Sequence, residues 1–583
     1  MNPPPANRWR ILRRCLVGGA VCLTLIGLFY TEENWRGRRA LDECKRDLAS
    51  RGINMDWAQC IPAPVPTDQN FFGVPQMQSW FVGRGPEGWN DLSRGLSAPF
   101  YPGASIDSNT PRLLVAEVAI GLPGTAAPAG AVALRWDDRA APAQAAALLT
   151  NAIGPTARAP RSLIGVGLML RRPAEVQPAR IFLQCQKAPT EKELEEFLPD
   201  SILHADPGLP ERVLKFEPHG EGAYHVTMPV FATVAECLSW SDGLAPQCAL
   251  IRQAMQRPHA RMQGSYDRPE NIPIPNFQSM RSLSQGLGAR AQCHFLLGQP
   301  EEALRDLTVI NDLCRPVLEE NQPMTLVSAM IDGAVRGLYA SQIADGLRLH
   351  AWREPQLAAL EEQLKSANVL APLQQSFQHE PVGDCRLLET TPATPLLRLF
   401  AQSYPSVKIN GWRELKVSVQ GALLPRGWIY QNSVTIAELF ADIRGLFDSA
   451  NQLVFPEKIE EFAKRANAIS PWAPYSCLVP LFTPNVLKAS QTTAHNQTLL
   501  QQALIACALE RYRLAHGQYP ETLAALSPQF LAEIPHDIIG GQPPHYRRAA
   551  DGTFVLYSIG WSGRDGGGLR GKSNAEGDWV WPE

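Results

Sequence analysis

An uncharged run from Cys15 to Tyr30 constrains this chain more than any other feature. Extended back to Ile11 it is about 20 residues long, the length at which a helix crosses the roughly 30 Å of a bilayer's hydrocarbon. Arg8, Arg10, Arg13 and Arg14 stand before it like the basic region of a signal sequence, but no small-x-small cleavage site follows at Leu28, Tyr30 or Thr31. The run therefore reads as an uncleaved signal anchor; a cleaved signal peptide and a buried core helix are the alternatives. Its direction is less sharply written, because Arg36, Arg38, Arg39 and Lys45 answer the upstream arginines almost one for one. We read residues 1–10 as a cytosolic tail, 11–31 as the transmembrane anchor, and the rest as a body outside the cytoplasm.

A single such run in 583 residues, with mean hydropathy −0.16, excludes a polytopic membrane protein. Lys+Arg number 54 and Asp+Glu 57, so no basic field exists to hold a phosphate backbone, and nucleic acid is not expected as a partner. None of the 12 cysteines falls in a CxxC pair, which argues against a zinc knuckle or a thioredoxin-like site. Cys44 with Cys60, and Cys237 with Cys248, lie close enough in sequence to form disulfides in an oxidising compartment. Other thiols sit in apolar helical stretches, where a buried free thiol is expected.

The fold class read from these patterns is α+β and multidomain. Residues 32–79 hold a charged juxtamembrane helix, RRALDECKRDLASRG, that would lift the body off the membrane, and a proline-rich linker, IPAPVPTDQNFFGVP. Residues 80–272 change to short apolar runs bounded by Gly and Pro, at 113–122, 131–136, 163–170, 179–185 and 223–231, which suit strands. Helices are expected between them, one near 142–152 and one opened by Thr190 with Glu193 three residues on. Residues 273–482 form a helical domain. LGARAQCHFLLG stops at Gly298 and PEEALRDL starts on Pro300, the punctuation of an αα-hairpin, and a second pair follows at 323–349 and 355–366. Helices are also expected at 433–450 and 456–468. Residues 483–583 open with Thr483 as N-cap and Pro484 as first residue of a long helix that Gly517 closes. Its apolar stripe is Leu500, Leu504, Cys507, Ala508, Tyr512 and Ala515.

The last ninety or so residues carry the most specific signal. ERYRLAHGQYPETLAAL is followed by FLAEIPHD, PPHYRR, FVLYSIG and a glycine-rich tail closing on GDWVW. This order resembles the globular domain of the major pseudopilin of type II secretion systems. Tyr512, Gly517, Tyr519, Pro520, Leu523, Leu526, Pro535, Asp537, Tyr546, Tyr557, Ser558 and Gly560 match its pattern. The resemblance implies a long helix packed on a small antiparallel sheet. It does not imply polymerisation, because here the helix opens on the polar KASQTTAHNQT rather than on a processed apolar half. The whole-chain order of anchor, NFFGVP, PEEALRDL, LLPRGWIYQN and ALERYRLAHGQYPETL resembles a group of single-anchor envelope proteins of environmental bacteria. That likeness implies the bacterial inner (cytoplasmic) membrane and implies no activity.

Searches for chemistry return little. No HExxH, no GxSxG and no GxGxxG after a strand is present. Glu380, Asp384 and Glu389 surround Arg386, which suggests a structural ion pair, and His536, Asp537 and His545 read as a solvated loop. The pseudopilin resemblance implies calcium in the tail, where Asp565 and Asp578 would offer carboxylates and Ser562 or the Ile559 carbonyl would complete a shell of about six to eight oxygens. Ser562 stands where the family has an aspartate, so one charged ligand is missing. The alternative is a glycine turn with Trp579 and Trp581 packed as a lid. No other cofactor is expected. The chain reads as a non-catalytic interaction or structural component of the bacterial envelope, meeting the membrane through 11–31 and protein partners through its helical hairpins. The alternative is an extracytoplasmic hydrolase with its site in 80–272.

Overall fold

The computed structural model describes residues 6–94, 238, 241–317, 325–402, 418–470, 472–483, 485–571 and 573–581, with six strands between Ala116 and Thr227. The helices that build the body are, in chain order, α1 (Ala6–Ser50), α2 (Phe277–Leu296), α3 (Pro300–Asp312), α4 (Leu326–Arg348), α5 (Glu354–Lys365), α6 (Leu370–Thr390), α7 (Arg426–Ala441), α8 (Pro456–Asn467) and α9 (Val486–His516).

α1 runs unbroken from its apolar half into its charged half. The apolar half is exposed, and the helix is long and apolar enough to cross a membrane. The charged half is not a spacer. Leu41, Cys44 and Leu48 are buried, and Cys44 and Leu48 join a core made with α6, α7 and α8. The expected lift therefore fails: every third or fourth residue of RRALDECKRDLASRG that is apolar faces the body rather than water. α1 crosses α7 glycine on glycine. A Cβ on Gly37 would stand 2.6 Å from the Gly427 Cα, and one on Gly427 would stand 2.9 Å from Asn34 N. That close approach lets the Gly427 amide donate to Asn34 Oδ1 at 2.8 Å.

The proline-rich segment is not a linker either. Phe71 and Phe72 are buried edge to face at 5.0 Å, and Phe71 N donates to the His259 carbonyl. Two adjacent phenylalanines are too much apolar surface to leave in water, so the prolines around them shape an entry into the core.

Five of the expected strands are present and one more joins them. β1 (Ala116–Gly121), β2 (Val132–Arg135), β3 (Leu163–Met169), β4 (Ala179–Cys185), β5 (Lys215–Pro218) and β6 (Tyr224–Thr227) form one sheet in the order β2-β3-β4-β1-β6-β5. β1 and β4 are parallel and the other pairs antiparallel, which gives the chain its α+β character. The helices expected near 142–152 and after Thr190 lie outside the described residues, as does Cys237. Cys44 and Cys60 are free thiols.

In the helical region the hairpins α2/α3 and α4/α5 form as expected. Asn276 caps α2, and Gly298 takes the left-handed conformation, φ 67°, that its closing turn requires. Two differences follow from longer-range packing. The helix expected at 433–450 is α7, which starts after Pro425 and gives way to a hairpin of β7 (Phe447–Asp448) and β8 (Leu453–Val454). The stretch from 371, less patterned in sequence than the hairpins before it, opens with α6, a helix carried through Pro381.

α9 is the axle of the body. Its N-cap is Asn485, whose side chain accepts from Lys488 N, and not Thr483, whose hydroxyl donates to the Val479 carbonyl. Gly517 closes it at φ 78°. Ala515 is exposed, so the stripe runs out at Tyr512. From Gln497 to Glu510 every residue is buried, and the helix serves two cores: Val486, Ala489 and Ala494 belong to the core with α1, α6, α7 and α8, whereas Leu499 to Leu509 belong to a second core with Phe71, Phe72 and α2 to α5. Both cores therefore cut across the sequence boundary at 482/483. The polar opening of α9 serves this position. Gln497 accepts from Val369 N, where α6 begins, and Asn496 donates to the Gly333 carbonyl of α4. β9 (His545–Arg548), β10 (Phe554–Ser558) and β11 (Trp579–Trp581) form an antiparallel sheet in the order β11-β10-β9, with Leu556 and Trp581 in the α9 core.

Candidate functional site

The candidate site is a pocket of about 310 Å³ at the middle of α6, beside Phe482 of the core that α6 shares with α1, α7 and α8. That volume is at the lower bound for small-molecule sites. α6 brings three ionisable groups to it. Residues 380 and 384 are a helical i,i+4 pair and share a face, and His379 stands beside them. Trp57, Phe482 and Thr325 complete the wall. Gly383 keeps the space open, since a Cβ there would meet the Trp57 ring at 3.2 Å and the Pro269 ring at 3.3 Å.

Each group has a distinct environment. Glu380 accepts from Leu326 N at 2.8 Å, the first residue of α4, whose N-cap is Thr325. Burial pushes the Glu380 carboxyl up, and that amide pulls it partly back. Asp384 is pushed well above the usual carboxylate range, first by burial and then by the charge of Glu380. Burial draws His379 down, so its imidazole is neutral at pH 7, and its Nδ1 is buried without a partner. The pocket thus holds two carboxyls raised by burial, Asp384 the further of them, and a neutral imidazole. Such a set can accept a proton, donate one, or receive a cationic group between the two acids.

The expected ion pair around Arg386 is not what forms. Arg386 stands two residues from Asp384, on the opposite side of the helix, and is exposed. Glu389 pairs instead with Lys45 of α1 at 2.6 Å. The pocket was legible only as the sequence HEPVGD; Pro381 and Gly383 inside it hide the helix that makes positions 380 and 384 converge.

The tail places its expected ligands differently from a calcium shell. The loop after β10 does bring Asp565 and Asp578 together. Asp578 is buried at 2% exposure, and its carboxylate accepts from the amides of Gly566, Gly568 and Leu569. Asp565 accepts from Gly567 N and from the Tyr557 hydroxyl, and Ser562 Oγ accepts from Arg564 N. Three amide hydrogens aimed at one carboxylate make an anion nest, and a cation does not fit where those dipoles point. Gly566, Gly571, Lys572 and Ser573 also have the spacing of a phosphate-binding loop, but β11 follows where such a loop needs a helix, and Asp578 already fills the nest. Among the described residues no group of three or more His, Cys, Asp or Glu is placed to hold a metal ion. Trp579 and Trp581 are buried beneath the loop.

Asp537 corrects the reading of a solvated loop. It is buried and accepts from Ile539 N, Ser558 Oγ and Ile559 N, tying the loop before β9 to the end of β10. His536 bonds the Asn451 carbonyl, and His545 stacks on Tyr557 at 4.8 Å.

Replacing Asp578 with alanine is expected to leave those loop amides unpaired and to destabilise the fold by about 2–3 kcal/mol. Thermal melting of the full chain would register this. The same scan with calcium and with chelator should give equal midpoints in the parent protein, and a calcium-dependent rise would restore the ligand reading.

No known protein family, no curated protein and no solved structure matches the chain.

Proposed function

We propose that the protein is a single-pass component of the bacterial inner membrane whose body lies outside the cytoplasm and acts by presenting interaction surfaces rather than by catalysis. The observation that carries this reading is the continuity of α1, whose apolar half leads without a break into a helix buried in the body. A cleaved signal peptide would leave Leu41, Cys44 and Leu48 to the same core but would not need a rigid lead-in. The helical hairpins support the second half of the reading, since Phe277, Leu297, Val327 and Met330 are all 42% or more exposed. Residues 483–583 are read as a pseudopilin-like unit absorbed into the body, with Gly517 as its left-handed cap and Tyr519 bonded back to Glu510 at 2.8 Å. Protease added outside intact spheroplasts is expected to digest residues 32–583. Protection until the membrane is lysed would overturn the orientation.

A hydrolase is the second reading, and one observation favours it: the Glu380 and Asp384 pair beside His379. That pair lies on α6, and among the described residues of 80–272 Pro269 and Ile272 reach the pocket. The two readings part at Asp384→Asn. It keeps the size and shape of a carboxyl that burial already pushes well above the usual range, so the fold should stand, and only a hydrolase would lose turnover.

A further inference from the structure

The exposed apolar side chains around the point where α1 enters the body form a pattern the anchor alone does not explain. Tyr30 closes the uncharged run, and its hydroxyl donates to the Leu423 carbonyl at 2.6 Å. Phe29 meets Trp428 edge to face at 6.4 Å. The helical turn at 418–423 is therefore pinned level with the end of the run. On that turn Val419 and Leu423, one helical step apart, are 48% and 64% exposed.

A second segment is drawn to the same level. Tyr475 bonds Glu33 at 3.0 Å and lies under the Arg36 guanidinium at 5.3 Å, while Asn432 donates to the carbonyls of both Trp428 and Pro474. Trp472, three residues before Tyr475, is 91% exposed, a large aromatic left in the open with no packing reason among the described residues. Trp35 is 62% exposed, with Arg39 over its ring at 5.5 Å.

Of the two acids at this level, Glu32 is exposed and Glu33 is masked. Glu33 is 7% exposed and is held by Arg36 at 2.7 Å, Trp428 Nε1 at 3.0 Å and the Tyr475 hydroxyl. A bare carboxylate resists entry into hydrocarbon, so the exposed Glu32 holds this level to the headgroup zone rather than deeper. Gly37, where α1 locks onto α7, is only about 10 Å beyond Tyr30 at 1.5 Å per residue. The body thus begins at once, with no stalk.

We propose that Val419, Leu423, Trp428, Trp472 and Trp35 form a collar that seats the body in the interfacial zone of the same bilayer that α1 crosses. The occupant is the lipid headgroup and upper acyl region. Continuity carries the assignment: the collar is hydrogen-bonded to the last residue of the uncharged run and surrounds it with aromatic and aliphatic groups, the composition that membrane–water interfaces favour. This rests on the anchor reading above, and the test separates the two.

The full chain is labelled with 5-fluorotryptophan and placed in nanodiscs of phosphatidylethanolamine and phosphatidylglycerol, and resonances are assigned with the W9F, W35F, W352F and W472F variants. A doxyl-labelled lipid is expected to broaden Trp9 and Trp472, and a water-soluble gadolinium chelate to spare Trp472. Trp352, buried in the body, should respond to neither. Broadening of Trp9 with Trp472 relaxed only by gadolinium would leave the anchor inserted and overturn the collar. If neither Trp9 nor Trp472 responds to the doxyl lipid, the anchor reading fails and the collar falls with it.

Discussion

Replacing Gly427 with valine is expected to unseat α1 from α7 and lower the stability of the body by about 3 kcal/mol or more. The contact is backbone on backbone. A Cβ at 427 runs into the Glu33 carbonyl and stands 2.9 Å from Asn34 N, and neither group is the end of a flexible side chain that could swing away. Relief requires the helices to part. Parting breaks the Gly427 amide to Asn34 Oδ1 bond and withdraws Trp428 Nε1 from Glu33, leaving a buried carboxylate with fewer donors. Gly37→Ala presses on the same crossing from the other helix and should act in the same direction. The two substitutions share one contact, so their effects should not add. Thermal melting in detergent, followed by circular dichroism, reads the outcome. Unchanged midpoints for Gly427→Val would mean that the two helices do not cross here.

The second large effect is expected at Ile505→Asp. Ile505 has no exposed surface, and a carboxylate there would lose its hydration without gaining a partner, at about 4 kcal/mol or more. Leu504→Asp should be milder, since Leu504 keeps 8% of its surface. Ala515→Asp, on the exposed end of the same helix, serves as the control. What distinguishes this expectation from damage to a C-terminal unit is its reach. α9 contributes Leu499 to Leu509 to one core and Val486, Ala489 and Ala494 to the other. Loss of α9 packing should expose α2 to α5 and also α6 to α8. Hydrogen exchange would show this as accelerated exchange in both groups of helices. Acceleration confined to residues beyond 483 would restore an independent C-terminal domain.

Several elements were readable because their causes lie within a turn or two of chain. Gly298 with Pro300 separates α2 from α3, since one tolerates the left-handed turn and the other supplies a first residue that needs no amide partner. Gly517 stops α9 for the same reason. FVLYS forms β10 because Phe554 and Leu556 face the α9 core while Val555 and Tyr557 pack under the tail loop at Gly568. The tail aspartates stood out as candidate ligands, but their chemistry depended on which way the glycine amides point, and the chain conformation of residues 566–569 decides that.

The uncharged run, the helix stops and the strand-like texture of residues 113–231 were determined by sequence alone, because each depends on backbone preference or on local desolvation. Three things were decided only by the fold. Phe71 and Phe72 look like part of a linker until His259 and the core close over them. α6 looks broken at Pro381, yet burial of Phe377, Cys385 and Leu388 on its core face outweighs the lost hydrogen bond. Asp384 is an ordinary acid in the chain, and its carboxyl is pushed well above the usual range only when Trp57 and Phe482, brought from distant parts of the sequence, close the pocket beside it and Glu380. Desolvation is a property of the neighbours a residue acquires, and neighbours that distant are chosen by tertiary packing.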